Sequence, residues 1–512
     1  MAICYAIGIG GSGSKTLEAL IHLCAAGLGP DHLKLGFVDP DDGNGNLQRA
    51  LTTLEQYRKA RAALRRDNGQ IAMDSACAWQ RTPIEPLIGN GHWSPVPSGV
   101  RTPRDLFRYA SMNSDERTLF DGLLLNDDRE QELSLHEGFR GRPNIGAAVL
   151  GAMASDKEPF WQALTQACSQ AQHGQDVRLF LVGSVFGGTG AAGLPVIARL
   201  LRNHIEEVQV QDRVRLGGAL LLPYFAFPPP TSRDTDNAAL SRAFLAKSQE
   251  SLRYYAMRQR TQDEQDFDDL YLMGWPDIVA LDMRQIGGKP QHNPPLMPEL
   301  YAALAATRFF AQGASADHRV LHIGYDSERQ ALGWGDLPGV QREEGSEIKS
   351  SLGQALRFAH VYSWVYSPLL QNISPHIAKQ YWFRRLLDRA GRGDDLRSDS
   401  ARDALSSLDT HCRQLLRWAF TLQHQTSKGH LKVMLAKNIG LVGDSLEEDG
   451  LLNWHSAVSR RELEQFPDLI ADAGTATGLD QMFENLHNVP VSRQSQGLGC
   501  FVECLFTQCT LS

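Results

Sequence analysis

Apolar and polar residues fall in blocks along this chain, and the period inside each block assigns an element. The run "AICYAIGIG" (2–10) is almost wholly apolar and breaks at glycine, as a buried parallel strand does. "SKTLEALIHLCAAGLG" (14–29) continues with apolar positions at helical spacing, and "LKLGFVDPDD" (33–42) predicts a second strand that ends in acids. Polarity is mixed from about 66 to 135, where Pro83, Pro86, Pro95, Pro97 and Pro103 fall, so this stretch predicts an insertion with short helices. "GFRGRPNIGAAVLGAM" (138–153) predicts a glycine loop running into a helix, and "DVRLFLVGSVFGGTGAAGLPVIARLLRNHI" (176–205) a strand, glycine loop and helix. Further strands are predicted at 214–225 and 267–277, and helices at 237–260 and 296–313. This alternation predicts an α/β fold with a doubly wound, mainly parallel sheet over 1–315. From about 345 the segments 347–370, 375–391 and 403–425 are helical in period, with a polar linker "GRGDDLRSDS" at 391–400. Residues 316–512 are therefore expected to form a mostly α-helical region.

Composition narrows the class. The chain has 512 residues, 42% hydrophobic and 21% charged, which is ample for two or more cores. A net charge of -8 gives no global electrostatic case for nucleic acid or anionic membrane, and the basic run "RKARAALRR" (58–66) reads as a solvated helix face. The N-terminus carries no basic region ahead of its apolar run. The longest apolar stretch, "GGALLLPYFAF" (217–227), is broken by Pro223 and falls short of the roughly 20 residues of a membrane span. The expectation is a soluble, cytoplasmic protein. Eight cysteines form no CxxC pair, which predicts reduced thiols. Cys500 and Cys504 share a predicted helix face, where plain burial stands against a metal or redox role. None of the sixteen histidines forms an HxxxH or HExxH pattern.

Chemistry enters at the ends of the strands. A glycine loop that opens a helix exposes unpaired N–H groups at the positive end of the helix dipole, which makes an anion site. "GIGGSGSK" (8–15) is one such loop, with Ser12, Ser14 and Lys15 as added donors. It satisfies GxGxxG as Gly8, Gly10 and Gly13, and Asp39 after the second strand is placed to meet a ribose or a metal ion. A second loop runs from Gly141 to Gly146, and a third from Gly187 to Gly190 in "VFGGTGAAGLP". On a parallel sheet these loops share the carboxyl-terminal edge, where several backbone cradles around one point suit a di- or triphosphate.

These loops, in this order, resemble the tubulin and FtsZ superfamily, and most closely its divergent bacterial tubulin-like members. Gly187, Gly188, Thr189 and Gly190 match the start of the family's G-G-T-G-[ST]-G signature, and Gly8 to Lys15 resembles its first GxGGxG turn. Asp39 to Asp42 resembles its acid-bearing second loop, and "GRPNIG" (141–146) is similar to its third, with Arg142 as a phosphate partner. The resemblance covers roughly the first 310 residues. It implies GTP or GDP with Mg²⁺, held by Gly10, Gly11, Ser12, Gly13, Ser14, Lys15, Arg142, Gly146, Gly187, Gly188, Thr189 and Gly190, with Asp39 at the metal or ribose. It also implies self-assembly into a filament or oligomer, with the C-terminal helices serving assembly or contact with a protein partner. Tyr301 on the family's central helix is the implied base-stacking residue, and Asn293 or Asp277 the implied reader of the base edge. Hydrolysis in the family needs an acidic loop after that helix. No clear copy is present, and Asp336 and Asp326 are the candidate catalytic acids beside their ordinary reading as turn residues.

The departures set the alternatives. Phe186 stands where the family has a small residue, and Ala192 replaces the last glycine of the signature. "VDPDDGNGNLQRA" also resembles the ThiF-like, ubiquitin-activating family, through Asp39, Asp41, Asn46, Leu47 and Arg49, which implies ATP-dependent adenylation. That family usually carries a catalytic cysteine and often a CxxC zinc pair, and has no use for a later GGTG loop. A scaffold that binds nucleotide without turnover is the third class. Cell division, DNA positioning and antiviral defence are all compatible processes for a bacterial relative.

Overall fold

The N-terminal apolar run forms strand β1 (Ile3–Ile9), and helix α1 (Gly10–Ala25) follows it with no residue between them. The computed structural model describes residues 2–64, 77–124, 128–155, 157–227, 243–259, 265–281, 291–313, 318–324, 332–337, 345–388, 394–424, 464–471, 476–489 and 496–511. After α1 come β2 (Leu33–Val38), α2 (Gly45–Leu64), and the short strands β3 (Ile84–Pro86) and β4 (His92–Trp93). Helices α3 (Pro143–Met153) and α4 (Pro159–Gln172) lead to β5 (Val177–Ser184) and α5 (Thr189–Glu207). Then follow β6 (Val214–Leu221), β7 (Phe225–Ala226), α6 (Phe244–Gln259), β8 (Asp269–Met273), β9 (Val279–Ala280), α7 (Met297–Ala311) and β10 (Arg319–Ile323).

The main sheet runs β10-β8-β6-β5-β1-β2-β3, with β4 also on β2, and every pairing is parallel. Its central strands are buried along nearly their whole length, because helices cover both faces of a parallel sheet. Strand order proceeds one way from β1 to β3 and the other way from β5 to β10. The reversal lies between β1 and β5, whose register pairs Ile3 with Val177 and Ile9 with Gly183. A crevice outside the carboxyl ends of these two strands is where doubly wound sheets bind ligands. At the opposite edge, Asp269 is fully buried and held bidentately by Arg319 at 2.8 Å and 2.8 Å, with Arg215 at 3.3 Å.

The chain divides into two compact units. One holds Met1–Leu20, Pro30–Leu51 and Ile84–Ser327 and carries the sheet; the other holds Ile21–Gly29, Thr52–Pro83 and Glu328–Ser512. A cut at 315 is therefore corrected in two ways. Strand β10 belongs to the sheet, and two N-terminal segments group with the C-terminal residues. Within the insertion, β3 and β4 extend the sheet beside β2, while residues 65–76 lie outside the described set.

The second unit is helical. Its longest helices are α8 (Gly345–Val361), α9 (Asp399–His424) and α10 (Leu498–Gln508), packed around Phe358, Trp79, Phe506 and Trp382. The polar stretch read as a linker holds a helical turn at Asp394–Arg397 and the start of α9. Buried Arg357 donates to the Thr510 carbonyl at 2.9 Å and to that of Thr477, tying the chain's last residues to α8. Cys500 and Cys504 are buried on α10 and join no disulfide among the described residues. No helix among the described residues is long and apolar enough to cross a membrane.

Candidate functional site

At the β1/β5 switch point the backbone turns as tightly as a chain can. Gly10 has φ +73, a conformation that L side chains rarely adopt, and a Cβ there would sit 3.3 Å from both the Gly190 nitrogen and the Thr189 Cβ. The loop after β1 thus touches the loop after β5 directly. The loop ahead of α3 joins at Gly188, where a Cβ would lie 2.8 Å from the Gly141 nitrogen and 3.0 Å from the Phe139 carbonyl carbon. Together they bound one cleft, lined by residues of all three loops.

Gly10, Gly11, Ser12, Asp39, Gly187, Gly188, Thr189, Gly190 and Asn293 all line this cleft. Asn293 is held there by its neighbours: its N–H donates to Asn46 Oδ1 at 2.8 Å and its carbonyl accepts from Arg49 at 3.0 Å. Arg49 is itself fixed by Glu18 at 2.9 Å and 3.0 Å.

Seven expected binding residues lie outside the cleft lining. A Cβ on Gly13 would sit 2.6 Å from the Val182 carbonyl oxygen and 2.8 Å from the Gly8 carbonyl carbon, so Gly13 lets α1 lie against β1 and β5. Ser14 donates its hydroxyl back to the Gly10 carbonyl at 3.1 Å. Lys15 is buried, paired with Glu299, and donates to the Pro294 carbonyl at 3.1 Å. Arg142 pairs with Glu130 at 3.1 Å, outside the cleft lining. Gly146 admits Ala192 where α3 crosses α5. Tyr301 is buried on α7, edge-on to Trp275 at 5.3 Å, and Asp277 also lies outside the lining.

Of the candidate catalytic acids, Asp336 accepts the Gly333 N–H at 2.8 Å and closes its own short turn in the helical unit. Asp326 lies outside the described residues.

The sequence reading missed several cleft residues. Phe186, Phe225, Phe227 and Phe244 form an aromatic wall with ring centroids 4.8–6.2 Å apart where they pair. The pattern "PYFAFPPP" after β6 carried that signal as a cluster of aromatic residues at a strand's carboxyl end. Asn44, Asn46 and Gln291 supply amides: Asn44 donates to Gln291 Oε1 at 3.0 Å and accepts the Asn46 N–H at 3.0 Å. With Asn46 Oδ1 occupied by Asn293, its buried Nδ2 is left with no hydrogen-bond partner among the described residues, 3.2 Å from the position of a Gly11 Cβ. A buried donor left this way calls for an acceptor in the cleft.

Behind the wall, buried side chains link the first loop to α7. Lys15 pairs with Glu299, the Tyr224 hydroxyl donates to Glu299 Oε1 at 2.6 Å, and Glu299 Oε2 accepts the Leu296 N–H at 2.7 Å. Burial lowers the Lys15 ammonium's pKa, and Glu299 opposes that shift.

Asp39 is a buried acid of the cleft. Burial, with the charges of Asp41 and Asp42 adding to it, pushes its carboxyl up to about 8, although the Asp41 N–H donates to it at 3.2 Å. Among the described residues no group of three or more His, Cys, Asp or Glu is placed to hold a metal ion. Asp39 and Asp41 therefore fit Mg²⁺ only where phosphate oxygens and waters complete the octahedron.

The glycines of one motif separate by substitution. Gly13→Ala presses a methyl into backbone and is expected to cost about 1–3 kcal/mol of stability, as overpacking does. Gly11→Ala meets only the Asn46 and Asn44 amides, and is expected to leave thermal unfolding nearly unchanged while weakening whatever the cleft binds. Melting curves of the two variants test the division.

No protein-family model matches the chain, and no curated protein is similar to it.

Proposed function

We propose that this chain binds a guanine nucleotide, GTP or GDP with Mg²⁺, in the cleft at the β1/β5 switch point, in the manner of tubulin/FtsZ-like proteins. The observation that carries this reading is the contact of Gly10 with Thr189 and Gly190. It brings two helix N-termini, each opened by glycine, to one point, where their free N–H groups and dipoles favour a polyphosphate. The third loop, the aromatic wall and the amides of Asn44, Asn46 and Asn293 then offer contacts for the rest of a nucleotide.

The residues present fit the group. Gly11, Gly188 and Thr189 would hold phosphate oxygens through backbone N–H groups, with the Thr189 hydroxyl as an added donor. Mg²⁺, when bound with phosphate, supplies neutralising charge. Asp39 and Asp41 would hold it, and that charge would favour the ionised Asp39 carboxylate against the burial that raises its pKa. Self-association is the partner contact that the tubulin-like reading implies.

Chromatography of nucleotide released from the purified protein tests the reading, and GTP or GDP is the expected product. AMP or ATP would instead favour ThiF-like adenylation. The double variant Gly188→Val/Thr189→Ala is expected to retain no nucleotide, and full retention by it would count against the assignment. Sedimentation with and without GTP tests the self-association.

A further inference from the structure

Strands β5 and β6 open with the same triplet, Val177-Arg178-Leu179 and Val214-Arg215-Leu216, and the parallel register sets Arg178 directly beside Arg215. Register partners point to one face, so two like charges stand on adjacent strands inside the sheet, which costs stability unless something balances them. Both side chains are buried, Arg178 at 5% exposure and Arg215 at 4%. They lie at the amino ends of the strands, away from the cleft at the carboxyl ends.

The two arginines differ in what they hold. Arg215 donates to Asp269 Oδ2 at 3.3 Å and to the Gly313 carbonyl at 3.0 Å. Arg178 meets carbonyls instead: its Nη1 donates to that of Val177 at 3.1 Å and to that of Arg213 at 3.4 Å. Its Nε is buried with no hydrogen-bond partner among the described residues, and so is the Nε of Arg215. Nε and Nη2 of a guanidinium form one edge of the fork that grips a carboxylate or phosphate bidentately. That edge of Arg178 is unused.

The acids nearby are already engaged. Asp269 is held by Arg319 as well as by Arg215. Asp268 pairs with Arg202 at 3.0 Å and accepts the Leu216 N–H at 2.6 Å, and half-exposed Asp176 pairs with Arg213 at 3.4 Å. Burial lowers the Arg178 guanidinium's pKa; the Asp176 charge opposes that shift, and the Arg215 charge adds to it. Arg178, Arg215 and Arg319 thus set three guanidinium charges against the buried Asp269 carboxylate. A divalent anion offsets the excess.

We infer that Arg178 and Arg215 form a second binding site, at the amino-terminal edge of the sheet, for a phosphate-type oxyanion. The site shares no residue with the cleft, and the inference stands apart from the nucleotide reading. The exposed Asp176–Arg213 pair lies beside Arg178, which puts the site close to solvent.

Thermal unfolding and calorimetric titration of the whole chain with inorganic phosphate, against sodium chloride at equal ionic strength, test this. At tenfold excess over its dissociation constant, phosphate is expected to raise the melting temperature by about 2–5 °C, and chloride to leave it unchanged. Arg178→Met removes the unbalanced charge together with the fork. It is expected to melt no lower than the unaltered chain in phosphate-free buffer, and to bind phosphate at least about tenfold more weakly. Arg178→Lys keeps the charge without the fork and is expected to weaken phosphate about tenfold. The glycine loops of the cleft also suit phosphate, so Gly188→Val/Thr189→Ala is titrated in parallel and is expected to keep the response. Glycerol phosphate separates the two sources of the anion: tighter binding than inorganic phosphate identifies a phosphate monoester as the ligand, weaker binding the free ion, and either supports the site. A response no larger than that to chloride, or one undiminished in Arg178→Met, would overturn the inference. A response lost in Gly188→Val/Thr189→Ala and kept in Arg178→Met would assign the phosphate to the cleft and also overturn it.

Discussion

Lys15→Met is expected to cost the sheet-bearing unit about 3–5 kcal/mol, the usual loss when one partner of a buried ion pair is removed. Lys15 is 1% exposed, with Glu299 as its counter-charge and the rings of Tyr224 and Phe225 each 5.7 Å from its ammonium. Methionine matches the stem but leaves the Glu299 carboxylate buried with only its two remaining donors, the Tyr224 hydroxyl and the Leu296 N–H. The double variant Lys15→Met/Glu299→Gln removes the stranded charge and is expected to recover at least about half of the loss, which a double-mutant cycle in urea measures. Nucleotide affinity of the folded Lys15→Met protein should change little. Normal stability with lost affinity would return Lys15 to the phosphates.

Acid is expected to weaken the helical unit by a comparable amount. His360 and His411 are fully buried, and neither ring has a hydrogen-bond partner among the described residues. His360 stacks on Phe466 at 5.6 Å, and His411 lies among Tyr57 at 5.5 Å and Trp79 at 5.9 Å. Burial alone pushes both down to about 3 from the ordinary 6.5. The unfolded chain therefore binds more protons than the native one between about pH 6.5 and 3, and stability falls as pH drops through that window. From pH 7 to pH 5 each histidine forfeits about 2 kcal/mol, so the pair forfeits about 4. Asp39 acts with the opposite sign: its raised value means the native state holds the extra proton, so that contribution grows as pH falls from about 8 toward 4. The clean comparison is thus between variants. His360→Phe/His411→Phe should lose much less stability than the unaltered chain between pH 7 and pH 5 in urea unfolding, and equal slopes would contradict this.

Much of the architecture was legible because period reports burial. Nearly continuous apolar runs marked β1, β5 and β6, and glycine at their ends marked the loops that meet in the cleft. What each glycine does was not legible. Gly10 and Gly13 sit in one motif, yet Gly13 is set by a carbonyl on Val182, far along the chain. Lys15 misled for the same reason: beside a glycine loop it reads as a phosphate ligand, but its oxygen partner is 279 residues downstream. In "GFRGR" either arginine suits an anion, and the structure puts Arg140, not Arg142, in the cleft lining. Strand β10 escaped notice because "RVLHI" is a half-exposed edge strand whose arginine and histidine break the apolar pattern. Tyr301 was favoured as the stacking residue by its place on α7, whereas the aromatic residues at the cleft come from four separate segments.

Hydrogen exchange read by mass spectrometry, with and without GTP and Mg²⁺, tests most directly whether the loops after β1 and β5 hold one ligand together. Backbone N–H groups of residues 10–12 and 187–190 should gain protection in step, at the same nucleotide concentration. Protection of one segment without the other, or of neither at saturating GTP, would contradict a shared phosphate site.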